Sequence, residues 1–285
     1  MRQLRLESPP LRGTDIKDWQ TFLRTRQLLS DAPDGIFGAN TKRASVDYQT
    51  QVGILPADGI VGPFTLAHAL QGGLVPTTEP LRPGLDASAN CAPFAPQIVA
   101  AGFQFVFRYY SRFPSKVLSL AEARTLSAAG LQLMTVYQDS NDRIELFTAA
   151  LGVSQAAKAI QLATALGQPS GSAIYFAADF DPSPVQVRGP VVQYFHAVHD
   201  ALAASPFRVG VYGSGLTCRL VRDAGFAEFT WLSQSTGFRD YLSFLPQANV
   251  VQAAPSRDLI KNKLNIDDDI ARSTGFGAFQ LPPGP

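Results

Sequence analysis

Apolar positions follow two different rhythms along this chain. In the first seventy residues they recur at helical spacing. Ile16, Trp19, Phe22 and Leu23 share one face of a first helix, and Ala44, Val46, Tyr48 and Val52 are the inward candidates of a second, over residues 41–52. A shorter third helix is predicted over 65–70. Beyond Pro83 short apolar runs alternate with amphipathic stretches. The runs end at 86 or span 103–110, 131–137, 173–180, 208–212, 229–232, 249–253 and 264–267, which makes eight candidate strands. The clearest helical patterns between them cover 119–129, 154–166, 190–204 and 216–224. Alternating strands and helices imply a parallel sheet, and eight strands in this length imply a compact (β/α)8 barrel. The connections after Leu232 are too short for full helices, so an irregular barrel is expected there.

One phrase occurs twice. Asp34-Gly35-Ile36-Phe37-Gly38 leads to Thr41, and Asp58-Gly59-Ile60-Val61-Gly62 leads to Thr65. The glycines supply turn positions with φ > 0, and the threonine stands where a helix begins and can cap it. Each copy reads as a turn feeding a helix, and the pair as a small pseudo-symmetric module. With Trp19-Gln20 and Leu23 ahead of the first copy and Tyr48-Gln49 ahead of the second, residues 10–71 resemble the three-helix peptidoglycan-binding module of bacterial wall hydrolases. The resemblance implies peptidoglycan as partner. The alternative is that these residues only build the fold.

Composition narrows the classes. The 285 residues are 46% hydrophobic and 16% charged, enough for one small and one medium domain. A net charge of +1 points to neither nucleic acid nor an anionic membrane. No stretch reaches the ~20 apolar residues needed to span a bilayer. The segment 1–7 has no apolar core of a secretory signal peptide, so action at the wall implies non-classical export or injection. Cys91 and Cys218 are expected to be free, buried thiols. His68, His196 and His199 have no companions at metal-ligand spacing, so neither metal nor cofactor is expected. Residues 72–83, rich in Gly, Pro and Thr, read as a linker between a module at 1–71 and a barrel domain at 84–285.

A barrel of this kind carries its chemistry at the C-terminal ends of its strands. Those ends hold Asp86, Arg108-Tyr109-Tyr110, Tyr137-Gln138-Asp139, Asp179 with Asp181, Tyr212, Trp231 with Gln234, Gln252 and Asp267. Carboxylates perform acid–base work on glycosidic bonds, aromatic faces stack on sugar rings, and amides bond sugar hydroxyls. The substrate-binding candidates are Arg108, Tyr110, Tyr137, Gln138, Tyr212, Trp231, Gln234 and Gln252. Residues i and i+2 of a strand share a face, so Asp179 and Asp181 are expected to point together into the mouth.

The phrases G-L-D-A-S, F-R-Y-Y, Y-F-A-A-D-F-D, G-V-Y-G-S-G and I-D-D-D-I resemble the bacterial glycoside-hydrolase-like family of uncharacterised function, itself similar to the family 25 lysozymes. The match covers about 83–275. Carried over position by position, the family 25 pattern implies catalytic roles for Asp86, Asp179, Asp181 and Asp267, with Asp181 at the place of that family's acidic Glu. Asp is shorter by roughly 1.5 Å, which asks for a tighter site. The expected activity is muramidase-like cleavage of the β-1,4 bond between MurNAc and GlcNAc, by an endolysin or a delivered antibacterial effector. Partners would then include an injection apparatus or an immunity protein. The rival expectation is a wall-binding protein whose barrel has lost its acid.

Overall fold

The computed structural model describes residues 3–51, 54, 57–62, 65–66, 69, 82–235, 237–252 and 256–282. The chain forms two compact units, Met1–Leu81 and Arg82–Pro285. The expected linker lies outside the described residues up to position 81, and Arg82 and Pro83 already belong to the first strand of the second unit. His68 also lies outside the described residues.

In the first unit, α1 (Thr14–Thr25) buries Ile16, Trp19 and Leu23, and α2 (Ala39–Gln51) buries Ala44 and Tyr48. Trp19 stacks on Phe22, meets Tyr48 edge-on, and donates its indole N–H to Ser45 Oγ at 2.9 Å. Val46 is only half-buried because the inward face of α2 runs through 41, 44, 45, 48 and 49; Val52 lies outside the described residues. The third helix is described only at Thr65, Leu66 and Ala69.

The repeated phrase is held by a buried glutamine in each copy. Gln20 donates to Asp34 Oδ1 (2.8 Å), Ile36 O and Thr41 Oγ1 (both 3.0 Å) and accepts from the Gly35 N–H (2.8 Å). Gln49 repeats this on Asp58, Ile60, Thr65 and Gly59. Gly35 and Gly59 sit at φ 74° and 75°, the left-handed region a Cβ disfavours. Thr41 is not the helix cap. α2 starts two residues earlier, and the hydroxyl is one of the acceptors that satisfy Gln20.

The second unit is a closed barrel. β1 (Arg82–Asp86), β2 (Phe105–Tyr110), β3 (Gln132–Tyr137), β4 (Ala173–Ala177), β5 (Arg208–Gly213), β6 (Phe229–Leu232) and β7 (Val250–Gln252) follow in parallel. The chain then forms β8 (Arg257–Ile260) and returns as β9 (Leu264–Ala271), which closes the ring between β7 and β1 and runs antiparallel to both. β8 pairs only with β9, outside the ring. The eighth barrel strand is thus reversed from the all-parallel expectation. The stretch 253–263 is too short for the crossover of a dozen or more residues that a parallel return requires.

Helices α3 (Ala95–Ala100), α4 (Leu120–Ala128), α5 (Ala149–Leu166), α6 (Val192–Ala203) and α7 (Gly215–Asp223) occupy the connections from β1 to β6. The β6–β7 connection holds a single turn at Tyr241–Phe244 and a 3-10 turn at Leu245–Gln247, the irregularity foreseen from its length. Inside the barrel, Phe105, Phe107, Met134, Tyr175, Phe229 and Trp231 form one buried cluster. Phe107 stacks on Trp231 with ring centres 3.9 Å apart. Gly84 leaves room for this filling, since a Cβ there would stand 2.2 Å from the Phe105 ring. Below, the Tyr175 hydroxyl donates to Phe276 O at 2.9 Å, and the C-terminal segment pairs with β3 through Phe279 and Leu133. The barrel is solid underneath, so polar chemistry is confined to its upper mouth.

Candidate active site

Every strand of the ring sends one polar or aromatic side chain to the mouth. Asp86 comes from β1, Tyr109 from β2, and Gln138 and Asp179 from just beyond β3 and β4. Tyr212, Trp231 and Gln252 come from β5, β6 and β7, and Asp267 from β9. A cavity of about 170 Å³ is lined by all of these except Asp86, which is bonded to the lining residues Tyr109 and Gln252. β4 and β9 stand four places apart in a ring of eight, so Asp179 and Asp267 line it from opposite walls. Because β9 is reversed, Asp267 reaches the mouth from the strand's interior, in register with Asp86.

Gln252 links the carboxylates. Its Nε2 donates to Asp86 Oδ2 at 2.8 Å and to Asp267 Oδ2 at 3.3 Å, while its Oε1 accepts from the Tyr212 hydroxyl at 2.9 Å. Asp86 also accepts from the Tyr109 hydroxyl at 2.8 Å. Asp267 Oδ1 takes the Ser256 hydroxyl at 2.6 Å and the Gln234 amide at 3.5 Å. Across the mouth, Asp179 accepts from Gln138 Nε2 at 3.0 Å. Deeper on β9, Asp269 accepts from the Trp231 indole N–H at 2.8 Å, and its second oxygen has no partner.

No Lys, Arg or His lines this cavity among the described residues, and burial, the largest cause at each acid, raises their pKa. Burial, and after it the charge of Asp267, pushes Asp86 up to about 7; the bonds from Gln252 and Tyr109 oppose the rise. Burial and then Asp86 hold Asp269 well above 3.8. Burial raises Asp267, against the pull of Ser256 and Gln234. Asp179 is exposed at the rim, yet the protein crowding its inner side still raises it, against the bond from Gln138. The mouth thus gathers carboxyls whose protonated form is favoured beyond its ordinary range, the shift that a general acid needs.

Several expected site residues lie elsewhere. Asp181 does not share a face with Asp179, because β4 ends at Ala177 and strand alternation stops there. Its carboxylate is ion-paired to Arg239 at 2.5 Å, outside the cavity lining. Arg108 points to the outer face of β2, where it is buried against Glu122 at 2.6 Å and donates to Ala87 O. Tyr110 shares that face and donates to Gln168 at 2.7 Å. Tyr137 stacks on Phe176 and donates to Asp139 at 3.0 Å. Trp231 lines the cavity floor but is only 2% exposed, with one face on Phe107 and its N–H on Asp269, so it fills the barrel more than it offers a platform.

Tyr109, Asp269, Ser233 and Ser235 are absent from the substrate-binding and catalytic candidates read from the sequence. Tyr109 follows from parity with Phe105 and Phe107, since the set containing Arg108 is the costlier one to place in a barrel centre. Asp269 follows from Asp267 by the same period of two, while Asp268 points outward to Arg257 at 2.6 Å. Both cysteines are buried and free. His196 and His199 each reach Asp200 on the exposed side of α6.

A family model described as "Rv2525c-like, glycoside hydrolase-like domain" matches residues 96–271, and one described as "Putative peptidoglycan binding domain" matches 12–68. Among curated proteins, YbfG of Bacillus subtilis is 31% identical over 43% of this chain and 18% of its own length. FadG of the same organism is 25% identical over 72% of this chain and 38% of its own. The "Putative peptidoglycan hydrolase Rv2525c" of Mycobacterium tuberculosis is 32% identical over 52% of this chain and 64% of its own. The chain thus spans less than two thirds of the length of each. The crystal structure of the M. tuberculosis Tat-secreted protein Rv2525c, in complex with L-tartrate, superposes with a TM-score of 0.60 at 26% identity, covering 69% of this chain and 98% of that one.

Proposed function

The chain belongs to the Rv2525c-like, glycoside hydrolase-like family, and on that premise we propose that its barrel hydrolyses the glycan strand of peptidoglycan at the β-1,4 bond between MurNAc and GlcNAc. The observation that carries this is the pair of raised-pKa carboxyls, Asp179 and Asp267, on facing walls of one cavity. Two carboxyls flanking a glycosidic bond are what acid-assisted hydrolysis needs: one protonates the leaving oxygen, the other stabilises the oxocarbenium-like centre or activates water. Asp86 lies behind Asp267. Its charge is among the causes that raise the pKa of Asp269, deeper on β9. Gln138, Gln234 and Tyr212 supply hydrogen bonds suited to sugar hydroxyl and acetamido groups.

The N-terminal unit, which matches a peptidoglycan-binding model, would keep the barrel at its insoluble substrate and raise the effective concentration without adding catalytic contacts. Action outside the cytoplasmic membrane fits the Tat-secreted relative. Among the described residues no helix is long and apolar enough to cross a membrane. Delivery by a phage lysis programme, or by an injection apparatus with a matching immunity protein, belongs to the same proposal.

The test is digestion of purified peptidoglycan by the full chain, with mass spectrometry of the released fragments. New reducing-end MurNAc supports the assignment, and new reducing-end GlcNAc moves the cut to the other bond. A second reading, a wall-binding barrel without turnover, is favoured by one observation: the position that matches the acidic Glu of the family 25 lysozyme pattern is an Asp tied to Arg239. Retained sedimentation with peptidoglycan and no released fragment would establish that reading.

A further inference from the structure

We propose that Asp181 is a positioning residue: with Arg239 it fixes the segment after β6 that carries Gln234 and Ser235 to the cavity, and it takes no part in proton transfer. The inference rests on the reading of the mouth as a glycan-hydrolysing site.

Three hydrogen bonds join the two residues. The Arg239 backbone N–H donates to Asp181 Oδ1 at 2.9 Å, and its guanidinium donates to Oδ2 at 2.5 Å and to the Asp181 carbonyl at 3.0 Å. Both carboxylate oxygens are thus engaged, on the side of the residue away from the cavity lining. The same segment is anchored again at its far end. The Arg239 carbonyl accepts from the Leu216 N–H at 3.0 Å, and Asp240 pairs with Arg219. Gly215 lets the Asp240 backbone approach so closely that a Cβ would lie 2.3 Å from its carbonyl oxygen.

At its near end the segment holds the mouth more loosely. Gln234 donates its backbone N–H to Gln252 Oε1 at 3.4 Å and its side chain to Asp267 Oδ1 at 3.5 Å. Bonds of that length are weak. Ser233 beside them is held by its backbone N–H on Gly213 O at 3.0 Å, and the Ser235 carbonyl accepts from the Phe238 N–H at 2.9 Å. The placement of Gln234 and Ser235 on the cavity therefore rests on that bond to β5 together with the anchors at Arg239 and Asp240. Asp181, on the loop after β4, two places round the ring from β6, supplies the anchor that ties this segment to the wall of the mouth carrying Asp179.

The experiment is a double-mutant cycle in the full chain, using soluble glycan strands freed of peptide as substrate. Asp181→Ala, Arg239→Ala and the double variant are compared for kcat and KM, with Asp179→Asn as the reference for lost chemistry. A positioning role predicts that each single variant raises KM about tenfold with kcat within about twofold. That is the scale for losing a charge-assisted but partly exposed pair. It also predicts that the double variant is no worse than either single one. Loss of kcat by a hundredfold or more on Asp181→Ala alone, with Arg239→Ala near wild type, would overturn the proposal and make Asp181 the acid. If wild type releases no product, the hydrolytic reading has failed, and calorimetric titration with tetra-N-acetylchitotetraose decides the positioning claim separately. Equal weakening in all three variants supports the claim, and unchanged affinity overturns it.

Discussion

Asp86→Asn should change how the stability of the barrel depends on pH. In the fold this acid titrates at about 7, against 3.8 ordinarily, chiefly because burial and then Asp267 disfavour its charge. At 1.36 kcal/mol per pH unit, that gap amounts to roughly 4 kcal/mol. Between pH 4 and pH 7 the unfolded chain has lost a proton that the native state keeps. The native state therefore binds more protons, and stability falls as pH rises through this window. Below about pH 4 the contribution is complete, and above about pH 7 the loss is complete. The Asn variant lacks the titration. It also turns one amide N–H toward a donor, Tyr109 or Gln252, at a cost of about 1–3 kcal/mol that does not depend on pH. Wild-type stability minus variant stability should therefore fall by roughly 4 kcal/mol from pH 4 to pH 8. The chain has two tryptophans, Trp19 in the helical unit and Trp231 in the barrel, so urea unfolding can be followed by Trp231 fluorescence in a Trp19→Phe background. Parallel pH profiles for the two proteins would refute the reasoning.

Two further outcomes follow from the same contacts. Asp269→Asn should cost the barrel less than Asp269→Ala, since the amide oxygen still accepts from the Trp231 N–H, whereas Ala strands that buried N–H and should cost about 3 kcal/mol by urea unfolding. In the helical unit, Gln20→Ala removes four hydrogen bonds from the first turn phrase and should lower the unfolding midpoint followed by Trp19 fluorescence, at a cost of about 2–4 kcal/mol.

The doubled phrase and the strand–helix alternation were legible because each follows from local physics. The glycines at 35 and 59 are needed where φ is positive, and the parallel strands announce themselves as apolar runs of fixed length. The clamps on those turns were less visible, because Gln20 and Gln49 act across 14 and 9 residues onto Asp34 and Asp58. What local pattern could not supply was direction and termination. Nothing in residues 264–267 says that the strand runs downward, and β8 is too polar and exposed to read as a strand. Likewise the run through Ala178 and Phe180 keeps its apolar rhythm past the point where β4 ends, which carried Asp181 into a site it does not line. On β2, alternation limits the mouth to one of Tyr109 and Tyr110; the expectation from sequence is Tyr110, with Arg108 on the same face, where the structure has Tyr109. The ion pair of Arg108 with Glu122, fourteen residues on, settles that choice in three dimensions. The candidate acids Asp86, Asp179 and Asp267 were legible as strand-end carboxylates; their mutual perturbation was not, because it depends on ring closure by a reversed strand.

The central claim is that Asp179 and Asp267, facing each other across the mouth, carry the chemistry. The most direct measurement is the rate of fragment release from purified peptidoglycan by wild type, Asp179→Asn and Asp267→Asn, each shown to be folded by near-UV circular dichroism. The account predicts that each substitution lowers the rate by about 10²–10⁴-fold while sedimentation with peptidoglycan is retained. Release at a near wild-type rate by either variant would contradict it.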